Sequence, residues 1–477
     1  SFVIFFVYQT SAYSKTIDSS DFNYKYLSNY LSAIISKNNL NSDSSVKFFN
    51  SSKILINKHQ KFLEQYIIAL TINGRVHKSI NIVNQNNSNF FEAKLLLLID
   101  NFKKKNFDKK IELLNELKDY KDYSNYQYVI YEVLKDYNDL FITKKINLDN
   151  NENFGKLTSI NEAFQYCYLD QPEANIKFAN IINSNEGDYS RYLFFYVNNL
   201  IEKKDFEGAF HASKAINVLD NNLLVQQTKQ WIDKSNFEKF EKFFSCKNET
   251  DIIAEFFFLI SNFYAANSNL EKSNFYLNVS NYLNPKFYFN LTHLLENYFA
   301  NKNYKKTKKL LKNFNEEDEI YYWYKLKKIS QIIYNEKDKS ESLSYIESNF
   351  KKYPNPSLKI IYDMANIYKS NQEFTKAIKY YSFLLEKLND NSESFADVLY
   401  RRGSCYERLN QDVNSDKDLI KSLSIRPNDP YILNYLGYSW LERGYKIQDA
   451  ISMLDKAYSQ KENDPYIIDS VGWGYYL

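Results

Sequence analysis

The sequence predicts an all-α chain, a right-handed α-solenoid built from roughly 12–14 helix pairs. Two observations predict it, the scarcity of turn-forming residues and an internal period of 34 to 35 residues. Only 9 Gly and 7 Pro occur among 477 residues. Sheets joined by tight turns need more of both, because those residues supply the special backbone angles of turns. Long helices joined by short links tolerate this scarcity.

The period is clearest towards the end of the chain, where small residues recur in register. Gly403, Gly437 and Gly472 are separated by 34 and 35 residues. A second column has intervals of 34, 35, 35, 38 and 35 residues, and its members are Ser273, Thr307, Ser342, Ala377, Ser415 and Ala450. Pro285 and Pro427 recur at the end of their units, where a residue without an N–H stops a helix. We interpret these residues as structural positions of a repeat.

Packing explains why the columns hold small residues. Each unit is expected to contain two antiparallel helices, A and then B, whose backbones approach closely where both carry a small side chain. The columns resemble the tetratricopeptide (TPR) consensus, and this resemblance implies a TPR-like array. In such an array each helix pair is expected to contact mainly its sequence neighbours.

Three segments are predicted along the chain. Residues 1–14 are interpreted as a residual signal-peptide segment, because the apolar run Phe2–Val7 is followed by small residues such as Thr10 and Ala12. Residues 22–147 are interpreted as degenerate N-terminal TPR-like repeats. Residues 156–477 are interpreted as the main TPR array, truncated within its last repeat. The first segment predicts a periplasmic or otherwise exported protein.

Composition and motifs argue against several other functions. The net charge of +3 and the pI near 8.2 lack the basic excess typical of nucleic-acid binders, so no nucleic-acid partner is expected. No apolar stretch reaches 18 residues, so no transmembrane helix is expected, although peripheral membrane association stays open. The four His are scattered, and phosphate-binding or nucleophile motifs are missing from the sequence. We therefore expect no catalytic residue, no cofactor and no metal.

The cysteines are expected to behave as small hydrophobic residues. Cys167, Cys246 and Cys405 are far apart and odd in number, and no pair has the spacing of a zinc ligand set. A disulfide framework is therefore not expected.

The last fifty residues resemble one family more closely than the repeat alone does. The runs Asn434–Gly444 and Asp469–Tyr476 resemble the C-terminal repeats of long secreted proteobacterial TPR proteins. A related group in that family consists of lipoproteins that bind and activate a carboxyl-terminal processing protease in the periplasm. The resemblance implies a scaffold or adaptor whose partner is another protein, with an envelope protease as one candidate.

The predicted binding surface is the concave groove lined by the A helices. Repeat positions 2, 5, 9 and 12 face one side of helix A, because helical periodicity brings them together. The partner-binding residues predicted in this way are Asp397, Tyr400, Glu407, Tyr431, Asn434, Tyr438, Tyr466, Asp469 and Trp473. Aromatic and amide side chains in such a groove suit an extended peptide. In the alternative interpretation, Tyr438 and Trp473 pack between helices.

Three functional hypotheses follow. The leading one is a non-catalytic, exported protein-binding scaffold. The second is a cytoplasmic TPR adaptor, which requires the N-terminal apolar run to be structural. The third is the repeat region of an enzyme whose catalytic domain lies outside this sequence.

Overall fold

The computed structural model describes residues 23–120, 126–147, 152–184 and 188–476. The predicted signal segment 1–14 lies outside them. The described residues form α-helices and one short 3-10 turn at Lys53–Leu55, and none of them lies in a β-strand. The predicted all-α class is therefore confirmed. The helices are α1 Tyr24–Asn38, α2 Ser42–Asn50, α3 Gln60–Ile72, α4 Val76–Asn86, α5 Phe91–Lys104, α6 Phe107–Lys118, α7 Tyr126–Thr143, α8 Lys156–Tyr168, α9 Glu173–Ile182, α10 Tyr192–Glu202, α11 Phe206–Ser213, α12 Leu223–Asp233, α13 Glu238–Phe243, α14 Glu249–Ala266, α15 Leu270–Leu283, α16 Tyr288–Ala300, α17 Tyr304–Leu311, α18 Glu319–Glu336, α19 Lys339–Phe350, α20 Leu358–Ser370, α21 Phe374–Leu385, α22 Glu393–Arg408, α23 Asp412–Ile425, α24 Pro430–Glu442, α25 Ile447–Gln460 and α26 Pro465–Tyr476.

The chain forms two compact units that do not follow sequence order. The first unit contains the described residues up to Ala174 together with Lys242–Thr307. The second contains Asn175–Glu241 together with the described residues from Lys308 onwards. The chain thus leaves the first unit after Ala174 and returns to it at Lys242. The predicted segments 22–147 and 156–477 are defined by repeat register along the sequence. The two compact units are defined by contacts in space, so these segments stay predictions.

A recurring turn joins the two helices of many pairs. Ser268 has a φ of 58°, in the left-handed region, and the next residue, Asn269, caps α15 by accepting a hydrogen bond from the Lys272 backbone N–H at 3.0 Å. Lys105 and Lys302 have similar φ angles of 56° and 57°. One left-handed residue reverses the chain, and a capping side chain satisfies an amide that would otherwise lack a partner. These short links keep the paired helices adjacent.

The column of small residues lies where paired helices meet. Ser273, Thr307, Ala377 and Ala450 are all fully buried. Pro285 and Pro427 each lie two residues after the last residue of a helix, α15 and α23 respectively. The proline follows the helix end because it can neither donate to the helix ladder nor fit into the preceding turn.

The three glycines of the repeat differ in their surroundings. A Cβ added at Gly403 would lie 2.9 Å from Leu419 Cγ, and one at Gly437 would lie 3.0 Å from the Ala450 carbonyl oxygen. At these two positions the partner helix approaches too closely for a larger residue. A Cβ added at Gly472 would meet nothing within 4 Å. Close helix packing therefore accounts for the first two glycines, and nothing in the structure explains the third.

Long-range contacts hold the first unit together. Lys37 forms an ion pair of 2.6 Å with Glu271, and the side chains of Asn278 and Tyr298 donate to the carbonyl oxygen of Ile72 at 2.9 and 3.0 Å. Helix α15 thereby packs against α3, more than 200 residues earlier in the chain. Most helix contacts of this unit join sequence neighbours, as expected, and the contacts of α15 with α3 are added to them. The physical reason is that α14 and α15 are buried on several faces, so their own neighbours cannot cover them.

The first unit also contains a disulfide. Cys167 on α8 is bonded to Cys246, which precedes α14, and both residues are fully buried. The expectation that these cysteines are simple hydrophobic residues is wrong for this pair. Sequence spacing could not reveal the bond, because 79 residues separate its ends and most of them belong to the second unit. Cys405 is a buried free thiol, as expected.

Candidate partner-binding groove

The candidate groove lies in the second unit, on the first helix of each successive pair. These helices are α20, α22, α24 and α26, and the first three pack against α21, α23 and α25. Asp429 orients α24 by accepting hydrogen bonds from the backbone N–H groups of Tyr431 and Ile432 at 2.9 and 3.1 Å. Because Leu436 and Trp440 point into the core, helical periodicity directs other positions of α24 outward.

Four of the predicted groove residues are exposed aromatic side chains. Tyr431 and Tyr438 on α24 are 50% and 38% exposed, and Tyr466 and Trp473 on α26 are 81% and 38% exposed. Trp440, on the opposite side of α24, is only 4% exposed. More than a third of Tyr438 and of Trp473 is therefore open to solvent.

The polar residues predicted on the same two helices are available for new hydrogen bonds. Asp469 is exposed. The side chain of Asn434 makes no hydrogen bond within the part of the chain that the structure describes, and its Oδ1 atom is buried. Burial, followed by the nearby carboxylate of Glu442, raises the pKa of Tyr438, and Asp469 acts in the same direction.

The three residues predicted on α22 already have partners within the chain. Asp397 pairs with Arg401 at 2.9 Å. Glu407 accepts a hydrogen bond from the Tyr435 hydroxyl at 2.9 Å, and the Tyr400 and Tyr435 rings meet edge to face at 5.7 Å. These residues shape the wall of the groove, and their side chains are partly buried rather than free.

An open pocket of about 830 Å³ lies beside these residues. Its lining comes from α20, α22 and α24, the link after α20 and the start of α21, and consists of Asn366, Lys369, Ser370, Gln372, Phe374, Arg401, Ser404, Arg408 and Tyr435. None of these was among the predicted binding residues. Arg401 and Tyr435 directly follow the predicted positions Tyr400 and Asn434 in the sequence.

Lys369 is the unusual group of this pocket. Its ammonium donates to Ser404 Oγ at 2.5 Å and lies 5.8 Å from the centre of the Tyr400 ring. No carboxylate of the described residues lies within ion-pairing distance of it. Burial lowers the pKa of Lys369, and the neighbouring cation Arg401 acts in the same direction. The Asp397 carboxylate acts in the opposite direction, but it already pairs with Arg401, so the partly buried charge of Lys369 has no direct ion pair among the described residues.

The two arginines of the pocket are only partly satisfied. Arg401 uses Nε for Asp397, and its two terminal nitrogens make no hydrogen bond with the described residues. Arg408 contacts Glu407 at 3.5 Å, and most of its side chain is exposed. The pocket therefore offers several N–H donors to an incoming acceptor.

The described ranges show neither a metal-binding cluster nor a membrane-spanning helix. No group of three or more His, Cys, Asp or Glu side chains there could hold a metal ion. No helix there has both the length and the apolar character needed to cross a membrane.

Comparisons with known proteins find likeness in structure alone. No family model and no curated protein matches the chain. Among solved structures, the chain is similar to a chain of the APC/C hetero-tetramer Cut9-Hcn1, with 11% identity, a TM-score of 0.37 and coverage of 94% of this chain and 90% of that one. It is also similar to yeast Tom70 (13% identity, TM-score 0.40, coverage 94% and 95%) and to the P58(IPK) TPR domain (10% identity, TM-score 0.28, coverage 95% and 97%). Likeness at this level carries no argument about what the chain binds.

Proposed function

We propose that this protein is a non-catalytic scaffold that binds an extended segment of another protein along α22, α24 and α26. The observation that carries the proposal is the set of exposed aromatic side chains on successive first helices, at Tyr431, Tyr438, Tyr466 and Trp473. Aromatic side chains are the commonest anchors of protein interfaces, because they bury much surface while losing little conformational entropy.

The polar neighbours suit a peptide backbone. An extended peptide presents N–H and C=O groups that need partners once water is excluded. Asn434 and Asp469 lie on the same two helices as the aromatic residues. Their side chains make no hydrogen bond with the described residues. We propose that Asn434 donates to a peptide carbonyl and that Asp469 accepts from a peptide N–H.

The proposed location is an exported, oxidising compartment such as the periplasm. The disulfide between Cys167 and Cys246 supports it, because such bonds persist in oxidising compartments and are rare in the cytosol. The N-terminal apolar run of the sequence supports the same location. Both observations favour the exported scaffold over the cytoplasmic adaptor. An envelope protease is the partner proposed from the family resemblance.

The test is capture from an envelope extract with the whole chain as bait. Wild type is compared with a Tyr438→Ala/Trp473→Ala variant and with an Asn434→Ala/Asp469→Ala variant. The matched control is Phe383→Ala/Tyr458→Ala, which removes two exposed aromatic residues from second helices, α21 and α25. Circular dichroism confirms that every variant is folded.

We expect the control to capture the same protein as wild type and both groove variants to lose most of it. Identification of that protein by mass spectrometry then tests the protease candidate separately. If the groove variants capture the protein as well as wild type does, the groove is not the binding surface. If the control loses it as well, the contact lies on the second helices.

A further inference from the structure

We propose that the pocket between α20, α22 and α24 binds the side-chain carboxylate of an acidic residue within an extended partner segment, with Lys369 as its ion-pair partner. This inference rests on the proposed function, since it assigns a chemical preference to one end of the same groove. The carrying observation is a partly buried lysine in an open pocket of about 830 Å³ that forms no direct ion pair with any carboxylate of the described residues.

Charge complementarity identifies the ligand. A partly buried cation is held at a free-energy cost that a bound anion offsets, so the pocket favours a negatively charged group. Arg401 has two free terminal nitrogens, and a guanidinium matches the planar geometry of a carboxylate. Asp397 and Glu407, which lie on α22 beside lining residues, already pair with Arg401 Nε and with Arg408 and Tyr435.

The position of the pocket identifies the source of the carboxylate. Most of its lining comes from three successive first helices, and Tyr435 on α24 is close in sequence to Asn434 and Tyr438 of the proposed groove. A segment that reaches the pocket therefore continues along α24 rather than ending in it. For this reason we assign the carboxylate to an internal Asp or Glu side chain and treat a chain-terminal carboxylate as the competing outcome.

The experiment is selection from a random-peptide phage library on the immobilised full chain. Wild type is compared with Lys369→Met, with Lys369→Arg, which keeps the charge, and with Lys379→Met. Lys379 is an exposed lysine of α21 outside the pocket, so its loss controls for net charge. Thermal melting confirms that each variant is folded.

We expect wild type, Lys369→Arg and Lys379→Met to enrich peptides with an internal Asp or Glu, and Lys369→Met to lose this preference. One enriched peptide is then synthesised with its acidic residue or the amide isostere, each with a free or amidated C terminus. Removal of the acid is expected to weaken binding to wild type about tenfold, the usual size of a charge-assisted hydrogen bond, and to change binding to Lys369→Met little.

Three results would overturn the assignment, and they have different meanings. If wild type enriches peptides with no acidic preference, the pocket does not select a carboxylate, while the groove remains a peptide-binding surface. If binding depends on the free C terminus rather than on the internal acid, the source of the carboxylate is wrong. If wild type enriches no peptide at all, the proposed peptide-binding function fails together with this inference.

Discussion

The Lys359 ammonium donates to Asp363 Oδ1 at 2.8 Å, one helical turn further along α20, and both side chains are buried. The second carboxylate oxygen of Asp363 accepts from Lys327 at 2.6 Å and from the indole N–H of Trp323 at 3.0 Å. This carboxylate therefore joins α18 to α20 in the second unit. Asp363 and Lys359 lie on α20, the helix that also carries Lys369 of the pocket.

Asp363→Asn is expected to destabilise the second unit by about 3 kcal/mol. Removal of one member of a buried ion pair leaves the other charge without compensation, and here the stranded charge is Lys359. The measurement is the unfolding transition in guanidinium chloride or by calorimetry. Asp390→Asn, at an exposed loop position, is the control and is expected to change the transition little. Equal stability of the two variants would show that the buried cluster contributes no net free energy.

The same cluster predicts a loss of stability in acid. Burial alone would raise the pKa of Asp363, but the two lysines Lys327 and Lys359 prevail and lower it below the ordinary value of 3.8. A carboxyl whose pKa is lowered by folding stabilises the protein above its unfolded pKa, and the contribution is lost as the pH falls through the folded pKa. Lysine side chains in general titrate far above this acidic range, so they do not alter the sign.

The check is the melting temperature of wild type minus that of Asp363→Asn as a function of pH. The difference is expected to be constant from neutral pH to about pH 5 and to shrink below about pH 4. A difference that grows on acidification would mean that the pKa of Asp363 is raised in the folded protein.

Sequence periodicity predicted the helix pairs, because the packing that it encodes is local. The column of small side chains that runs from Ser273 to Ala450 repeats every 34 to 38 residues, wherever two adjacent helices meet. Contacts such as Lys37 with Glu271 occur once, between helices far apart in the chain, and leave no period to detect. The disulfide escaped prediction for the same reason. Lys369 escaped because its significance is the lack of a direct ion pair among the described residues, which only three-dimensional neighbours reveal.

Loss of the disulfide is expected to lower the melting temperature of the first unit. Cys167 and Cys246 close a loop with a sequence separation of 79, for which chain-entropy reasoning gives a stabilisation of about 4 kcal/mol. Calorimetry of Cys167→Ser/Cys246→Ser measures the shift, and a reductant added to wild type is expected to reproduce it. Cys405→Ser should keep the sensitivity to reductant, since Cys405 forms no disulfide. If reduction leaves the transition of wild type unchanged, the bond does not stabilise the fold.

Alanine at two glycines of the same repeat column is expected to have opposite effects. In a helix, Ala is favoured over Gly by about 1 kcal/mol. At Gly472 nothing lies within 4 Å of an added Cβ, so Gly472→Ala is expected to stabilise α26 by roughly this amount. At Gly437 the added Cβ would lie 3.0 Å from the Ala450 backbone oxygen and 3.2 Å from Leu454 Cγ.

A backbone atom cannot swing away as a side chain can, so α24 and α25 would have to separate. Overpacking of this kind costs about 1–3 kcal/mol, which is expected to outweigh the gain in helix propensity at Gly437. Thermal melting of the two single variants and of wild type measures the sign of each change in stability. Each variant serves as the control for the other. If Gly437→Ala proved as stable as Gly472→Ala, helix propensity rather than close packing would govern the column, and the physical basis of the repeat in this pair would be wrong.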